Sequence, residues 1–284
     1  MLNALTFDVE EYFHAEVFSS VVRPEDWTLL PSRVGESTRR LLDLLDGHGV
    51  AATFFVLGWV AERDPALVRE IHDRGHEVAC HGFAHRLIYA MAPATFQADV
   101  RRAKRAVEDA IGAPILGYRA PTFSVVRGTL WALGVLAEEG FRYDSSIFPI
   151  RHDRYGIPNA PRFPHRIAEL AGSGMVEFPI TTLAVGTARL PFSGGGYFRL
   201  LPYPGIRAAL RSVNRREGMP GIVYLHPWEV DPEQPRLPIH GLSRLRHYVN
   251  LGGTERKLER LLTDFEFAPA GRVLQACGFA EVRA

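Results

Sequence analysis

Cysteine is scarce in this chain of 284 residues: Cys80 and Cys277 are the only two, far apart and outside any C-x-x-C pair. That excludes a disulfide framework and makes a reducing compartment the simpler setting. Charge of one sign is lacking too. The balance of 33 basic against 32 acidic residues leaves a net +1, which argues against nucleic acid or an anionic membrane as a partner. No run of about 18 apolar residues occurs, so no transmembrane helix is expected. The first residues, Met1 to Asp8, have no basic n-region, and their apolar stretch stops at a charge. They read as a buried strand rather than a signal peptide, and a cytoplasmic protein is expected. Internal repeats and low-complexity linkers are also missing.

What is present is a 46% hydrophobic, 23% charged composition, ordinary for a globular protein, and a βα rhythm. Leu5-Thr6-Phe7 predicts a first strand and Ala52 to Val56 a second, rich in β-branched and aromatic residues. Glu77 to Cys80 predicts a third, with two more at Ile115–Tyr118 and Phe141–Tyr143. Between them Leu41, Leu42 and Leu45 recur at helical spacing, as do Leu67, Val68 and Ile71, and then Phe96, Val100, Ala103 and Val107. Ser32 is a candidate cap for the first helix; Asp64-Pro65 opens the next, and Gly75 and Gly112 serve as stops. A further helix is expected around Leu130–Glu139. From Ile150 to Tyr203 the pattern weakens, with one strand at Met175–Phe178. A helix near Gly205–Arg215 and a last strand at Gly221–Leu225 follow. The expectation is one α/β barrel domain (1–235) with an irregular insertion, and a helical C-terminal extension (236–284). That extension packs on the barrel or makes a homo-oligomer contact.

Functional groups of parallel βα folds gather at the C-terminal ends of strands. Four such ends carry ionisable residues: Asp8-Val9-Glu10, His81-Gly82-Phe83-Ala84-His85, Arg119-Ala120-Pro121 and His226-Pro227. His81 and His85, four apart, face one side if the segment makes a helical turn. Two imidazoles and one carboxylate fill three sites of a catalytic metal; a pair of surface histidines is the plainer alternative. Asp8 and Glu10, two apart, point the same way on an extended chain. Together with the histidines they favour one ligand and one base, although a cap or salt bridge would also use one of them. Arg119 is either a surface ion pair or, since it follows an apolar strand, a guanidinium in the barrel mouth that holds a carboxylate charged. His226 is either a hydrogen-bonded core histidine or a general acid.

These segments together resemble the polysaccharide deacetylase family (carbohydrate esterase family four). Thr6 to Glu10 is similar to its first motif, His81 to His85 to its second, Arg119 to Thr122 to its third and Leu225 to Pro227 to its last. Phe141 to Ser146 lies where the fourth falls but lacks the tryptophan. The pattern with Phe13-His14, Tyr224 to Glu229 and Arg246 to Leu251 resembles the branch linked to exosortase/PEP-CTERM exopolysaccharide gene clusters. The resemblance implies a distorted (β/α)7-type barrel acting on an N-acetylated saccharide. Usual members carry two adjacent aspartates, base then ligand. Here Val9 separates the acids, and by likeness to a minority branch Asp8 is the base and Glu10 the ligand.

The reaction so implied is hydrolysis of an acetamide. Glu10, His81 and His85 bind Zn2+ or another divalent transition metal, and Asp8, held by Arg119, takes the water proton. The Thr122 N–H supports the oxyanion, while His226, oriented by Asp144, protonates the amine. Trp228 is a candidate lining residue, and Tyr197, after Gly194 to Gly196, belongs either to a substrate wall or to a plain turn. A hydrolase of small amides and a non-catalytic saccharide-binding protein are the alternative readings. An open groove favours the saccharide, a closed pocket the small amide.

Overall fold

Alternation along the first strand decides the architecture. In β1 (Asn3–Val9), Leu5, Phe7 and Val9 join the core under the helices, whereas Ala4 joins a second cluster inside the curl of the sheet. The two-residue period therefore turns Thr6 and Asp8 inward with Ala4. The computed structural model describes residues 1–170, 172–280 and 282.

The first half repeats strand and helix: α1 (Val34–His48), β2 (Thr53–Val56), α2 (Gly58–Arg63), α3 (Pro65–Asp73), β3 (Glu77–Cys80), α4 (Pro93–Ile111), β4 (Gly117–Tyr118), α5 (Trp131–Glu138) and β5 (Tyr143–Asp144). The second half holds β6 (His165–Arg166), β7 (Val176–Glu177), β8 (Thr182–Val185), β9 (Ala188–Pro191), α6 (Gly195–Leu200), α7 (Tyr203–Arg216) and β10 (Ile222–Leu225). It ends with α8 (Gly241–Tyr248), α9 (Leu251–Asp264), β11 (Phe267–Ala268) and α10 (Ala270–Ala276). Seven parallel strands run in the order β10-β1-β2-β3-β4-β5-β7, with β6 antiparallel on the β7 edge. The result is a curled α/β half-barrel, in keeping with the distorted (β/α)7-type barrel expected. The base of the β8–β9 hairpin spans the gap between β7 and β10. Thr181 Oγ1 accepts the Ile222 N–H at 2.6 Å, and Ser193 O accepts the Tyr224 N–H at 3.0 Å.

Several boundaries follow their sequence signals. Asp64 accepts the Leu67 N–H at 3.0 Å ahead of Pro65, and Gly49 and Gly112 end α1 and α4 at φ +63° and +70°. Ser32 does not cap α1. Its hydroxyl donates to Glu11, whose carboxylate also takes the Arg33 N–H at 3.0 Å, and the helix starts at Val34. Glu11 is fully buried and needs those donors more than the helix needs the hydroxyl. The irregular segment holds β6, the β8–β9 hairpin and α6 besides the strand expected at Met175–Phe178. The tail is not wholly helical either: β11 pairs with β1 at Asn3 and Ala4, on the edge that β2 occupies higher up.

The bottom of the barrel is closed by α10. Thr53 Oγ1 donates to Glu77 at 2.5 Å and accepts the Ala270 N–H at 2.7 Å; Tyr143 and the Gly271 N–H also donate to Glu77. Thr53→Val keeps the shape and removes the hydroxyl, and should destabilise the fold by about 1–3 kcal/mol in urea unfolding; an unchanged midpoint would refute that role. His76 is buried against Phe54 and accepts the Ala52 N–H at Nδ1. Burial pushes its pKa down to about 4, so unfolding takes up a proton below the ordinary value of about 6.5. Stability of the metal-free protein should therefore be flat above pH 6.5 on this account and fall as pH drops toward 4. Urea midpoints across that window test it.

Candidate metal centre and its cleft

Glu10 lies just beyond β1, on the same side as Asp8. The His81–His85 segment is not a helical turn: Gly82 and His85 take φ +75° and +50°. The turn is pinned by the unpaired N–H groups at the start of α2, with Gly58 N donating to Gly82 O at 2.8 Å and Trp59 N to Phe83 O at 2.9 Å. From α4, Asp99 accepts the Phe83 N–H at 2.9 Å. The result places His85 Nε2 2.9 Å and His81 Nε2 3.9 Å from Glu10 Oε2.

These three side chains fit a divalent cation. Their donor atoms lie within 4.8 Å of one another, and Glu10 Oε2 is buried with no hydrogen-bond partner. His81 Nδ1 donates to the Arg119 carbonyl at 2.8 Å, which leaves its Nε2 lone pair facing Glu10. Burial lowers the His81 pKa to about 4, keeping it in the neutral, ligating form. Burial alone would raise the Glu10 pKa; the charges of His85, His226 and His81 outweigh it and hold the carboxyl well below its usual range. Trp228 Nε1–H donates to Glu10 Oε1 at 3.1 Å, so one oxygen is anchored and the other points at the imidazoles.

Asp8 has different partners. Arg119, fully buried at the end of β4, donates through one Nη to Asp8 Oδ1 at 2.7 Å and Thr6 Oγ1 at 2.8 Å. Its other nitrogens reach Ser145 O at 3.1 Å and Ser145 Oγ at 3.0 Å, and its guanidinium lies 4.1 Å from the Phe55 ring centroid. The second Asp8 oxygen is 3.9 Å from His226 Nε2.

His226 Nε2 is also 3.9 Å from Glu10 Oε1. Its Nδ1 donates to Glu229 Oε1 at 2.7 Å, and Arg199 Nε donates to Glu229 Oε2 at 2.6 Å. Burial opposes the imidazolium, but the Glu229 hydrogen bond and the charges of Glu10, Glu229 and Asp8 raise its pKa to about 9. The acid that orients His226 is thus Glu229, not Asp144. Asp144 is bound by Ser146 Oγ at 2.5 Å and lies against Glu177, where it supports the loop that holds Arg119. Glu229 escaped the sequence reading, although His-x-x-Glu has the spacing of a capping box and Glu229 does accept the His226 N–H at 3.0 Å. Arg199, Asp99 and Tyr155 were missed as well; each is supplied by a distant element, with no local signal.

Asp8, Glu10, His81, His85, Thr122, His226 and Trp228 line one cleft of about 160 Å3. Thr122 stands on its wall at φ +52°. Trp228 stacks on His226 at 4.9 Å besides anchoring Glu10. Tyr197, in α6, lines the wider groove of about 700 Å3 that adjoins the cleft; its segment is a short helix, not a turn.

The curled sheet with its surrounding helices matches the fold of the polysaccharide deacetylases. Residues 4–141 match the family model described as polysaccharide deacetylase, and residues 145–275 match a domain of unknown function, DUF3473. A Gibberella zeae peptidoglycan deacetylase-like protein is 31% identical over 121 residues, 42% of this chain and 34% of its own. A chitooligosaccharide deacetylase from Bradyrhizobium is 40% identical over 73 residues, 26% of this chain and 33% of its own. The chain thus spans about a third of the length of these curated relatives. Among solved structures, a Mycobacterium smegmatis protein assigned to the polysaccharide deacetylases superposes with a TM-score of 0.64 at 22% identity, covering 97% of this chain and 89% of its own. An allantoinase gives 0.60 at 15% identity, over 100% and 92%. At these identities the structural likeness speaks for the fold. Among the described residues, no helix is long and apolar enough to cross a membrane.

Trp228→Phe keeps the stack on His226 and removes the donor to Glu10. Affinity for Zn2+, measured by competition with a chromophoric chelator, should fall about 10–100-fold; wild-type affinity would show that the indole N–H does not tune the site.

Proposed function

We propose that this chain is a metal-dependent hydrolase that removes N-acetyl groups from a saccharide, in exopolysaccharide biosynthesis. The observation that carries the reading is one cleft in which an arginine-held carboxylate and a carboxylate-held imidazole flank a His-His-Glu ligand set. A divalent cation such as Zn2+, held by Glu10, His81 and His85, would polarise the acetamide carbonyl and acidify a water. Asp8 stands ready as the acceptor of that water's proton, paired with and fixed by Arg119. His226, charged and aimed by Glu229, gives a proton to the nitrogen as the C–N bond breaks, so that acetate and a free amine leave. The Thr122 N–H is assigned to the oxyanion.

Two features favour a saccharide over a small amide. The cleft is not closed but continues into the wider groove, and tyrosines face that groove. Barrel residues 1–235 supply every reacting side chain, and the extension 236–284 braces Arg199 through the carbonyls of Arg246, His247 and Val249. A cytoplasmic setting belongs to the same proposal and rests on the two unpaired cysteines.

Asp8→Asn should retain bound metal yet lower acetate release from N-acetylated chito-oligosaccharides by about 10²–10⁴-fold. Glu229→Gln should lower kcat with metal still bound. An Asp8→Asn protein that has lost its metal would reverse the two acids, and one with wild-type turnover would remove Asp8 from the chemistry.

A further inference from the structure

We propose that the groove adjoining the metal cleft binds an oxyanion substituent, a carboxylate or a phosphate, on the saccharide; this rests on the saccharide reading above and narrows its substrate class. The groove shares Thr122, Tyr155 and Trp228 with the cleft, so a ligand lying in it reaches the metal residues without a break. Its rim carries Arg151 and Arg154, from the loop after β5, and Arg246, from α8. All three are exposed. Among the described residues, no carboxylate lies within ion-pair distance of any of them.

The acids of the same groove have other partners. These are Glu16, which accepts the Ser19 hydroxyl at 3.3 Å, and Asp153, 2.9 Å from His152 Nδ1; the groove's fourth arginine, Arg199, is balanced by buried Glu229. Three guanidiniums thus stand against two carboxylates around one concavity, a net positive charge. Their fields meet inside it. His152, stacked on Tyr155 at 3.8 Å, has its pKa lowered first by burial and then by Arg246 and Arg154 against the pull of Asp153, and Arg246 also acts on Tyr155. Charges from the loop and from the tail therefore converge on the same space. A guanidinium offers paired N–H donors that match a carboxylate or phosphate edge, and an oxyanion there relieves the mutual repulsion. Tyr197 provides a ring beside it for the sugar.

The test compares binding and turnover for three N-acetylated disaccharides: neutral, with a uronate carboxylate, and with a phosphate ester. Calorimetry with the metal-loaded protein should show at least one anionic ligand bound tenfold or more tighter than the neutral one, with that advantage shrinking as salt rises. The Arg151→Gln, Arg154→Gln and Arg246→Gln triple variant should lose the preference. Which anionic ligand gains, the uronate or the phosphate, identifies the group. Equal binding of all three, or a preference untouched by the triple variant, overturns the inference. Acetate release is read separately. Preferred binding without release would keep the anion site and refute the deacetylase reading; release from all three alike would do the reverse.

Discussion

The site depends on one buried cation. Arg119 has no exposure to solvent, and a guanidinium so placed is tolerated only when its donors are met and its charge is balanced. Asp8 balances it, Thr6 and Ser145 take the remaining donors described, and the Phe55 ring covers one face. The same residue's carbonyl fixes the tautomer of His81. One residue thus sets the orientation of the acid on β1 and of the imidazole after β3. Substitution of Arg119 would leave a buried carboxylate unpaired, whereas the main-chain carbonyl that orients His81 would remain, so the first effect falls on Asp8.

A second brace comes from the far end of the chain. Arg199 is buried in α6 and spends its donors on Glu229 and on the carbonyls of Arg246, His247 and Val249. Glu229 holds His226, Trp228 holds Glu10, and His247 stacks on Trp228 at 4.4 Å. The tail is therefore joined through one hydrogen-bonded and stacked network to both the imidazole of His226 and the carboxylate of Glu10. The region matching the polysaccharide deacetylase model ends at residue 141, so His226 and its brace lie wholly in the region beyond it.

How much of this could be read from the sequence varied with the range of the interaction. Short-range signals served well: Asp64-Pro65, Gly49 and Gly112 bound their helices, and alternation along β1 faced Asp8 and Glu10 the same way. Ser32 misled because a cap signal is local, while the need of buried Glu11 for donors is not. The two-residue strands β6 and β11 carry no period to detect, and only pairing with a neighbour defines them, whereas β4, β5 and β7 fall at predicted strands. Likewise the histidine spacing suggested a helical turn, whereas the turn's shape comes from the α2 N-terminus and Asp99. Asp144 was placed beside His226 on motif order alone, and order does not say which acid a strand end meets in space.

The separation of the two acids by Val9 then acquires a physical meaning. Val9 faces the outer core, so Asp8 and Glu10 share the cleft as neighbours two residues apart. Two carboxylates there would repel, and each needs a cation of its own. Asp8 has a permanent one in Arg119. Glu10 has no permanent one: its partners are an indole N–H and titratable imidazoles, with His226 3.9 Å away, and its Oε2 is without a hydrogen bond. A metal bound by Asp8 would compete with a guanidinium already at 2.7 Å; a metal bound by Glu10 would meet an oxygen that has no hydrogen bond. That difference in counter-charge, more than the likeness to any motif, is what favours Glu10 as ligand and Asp8 as base.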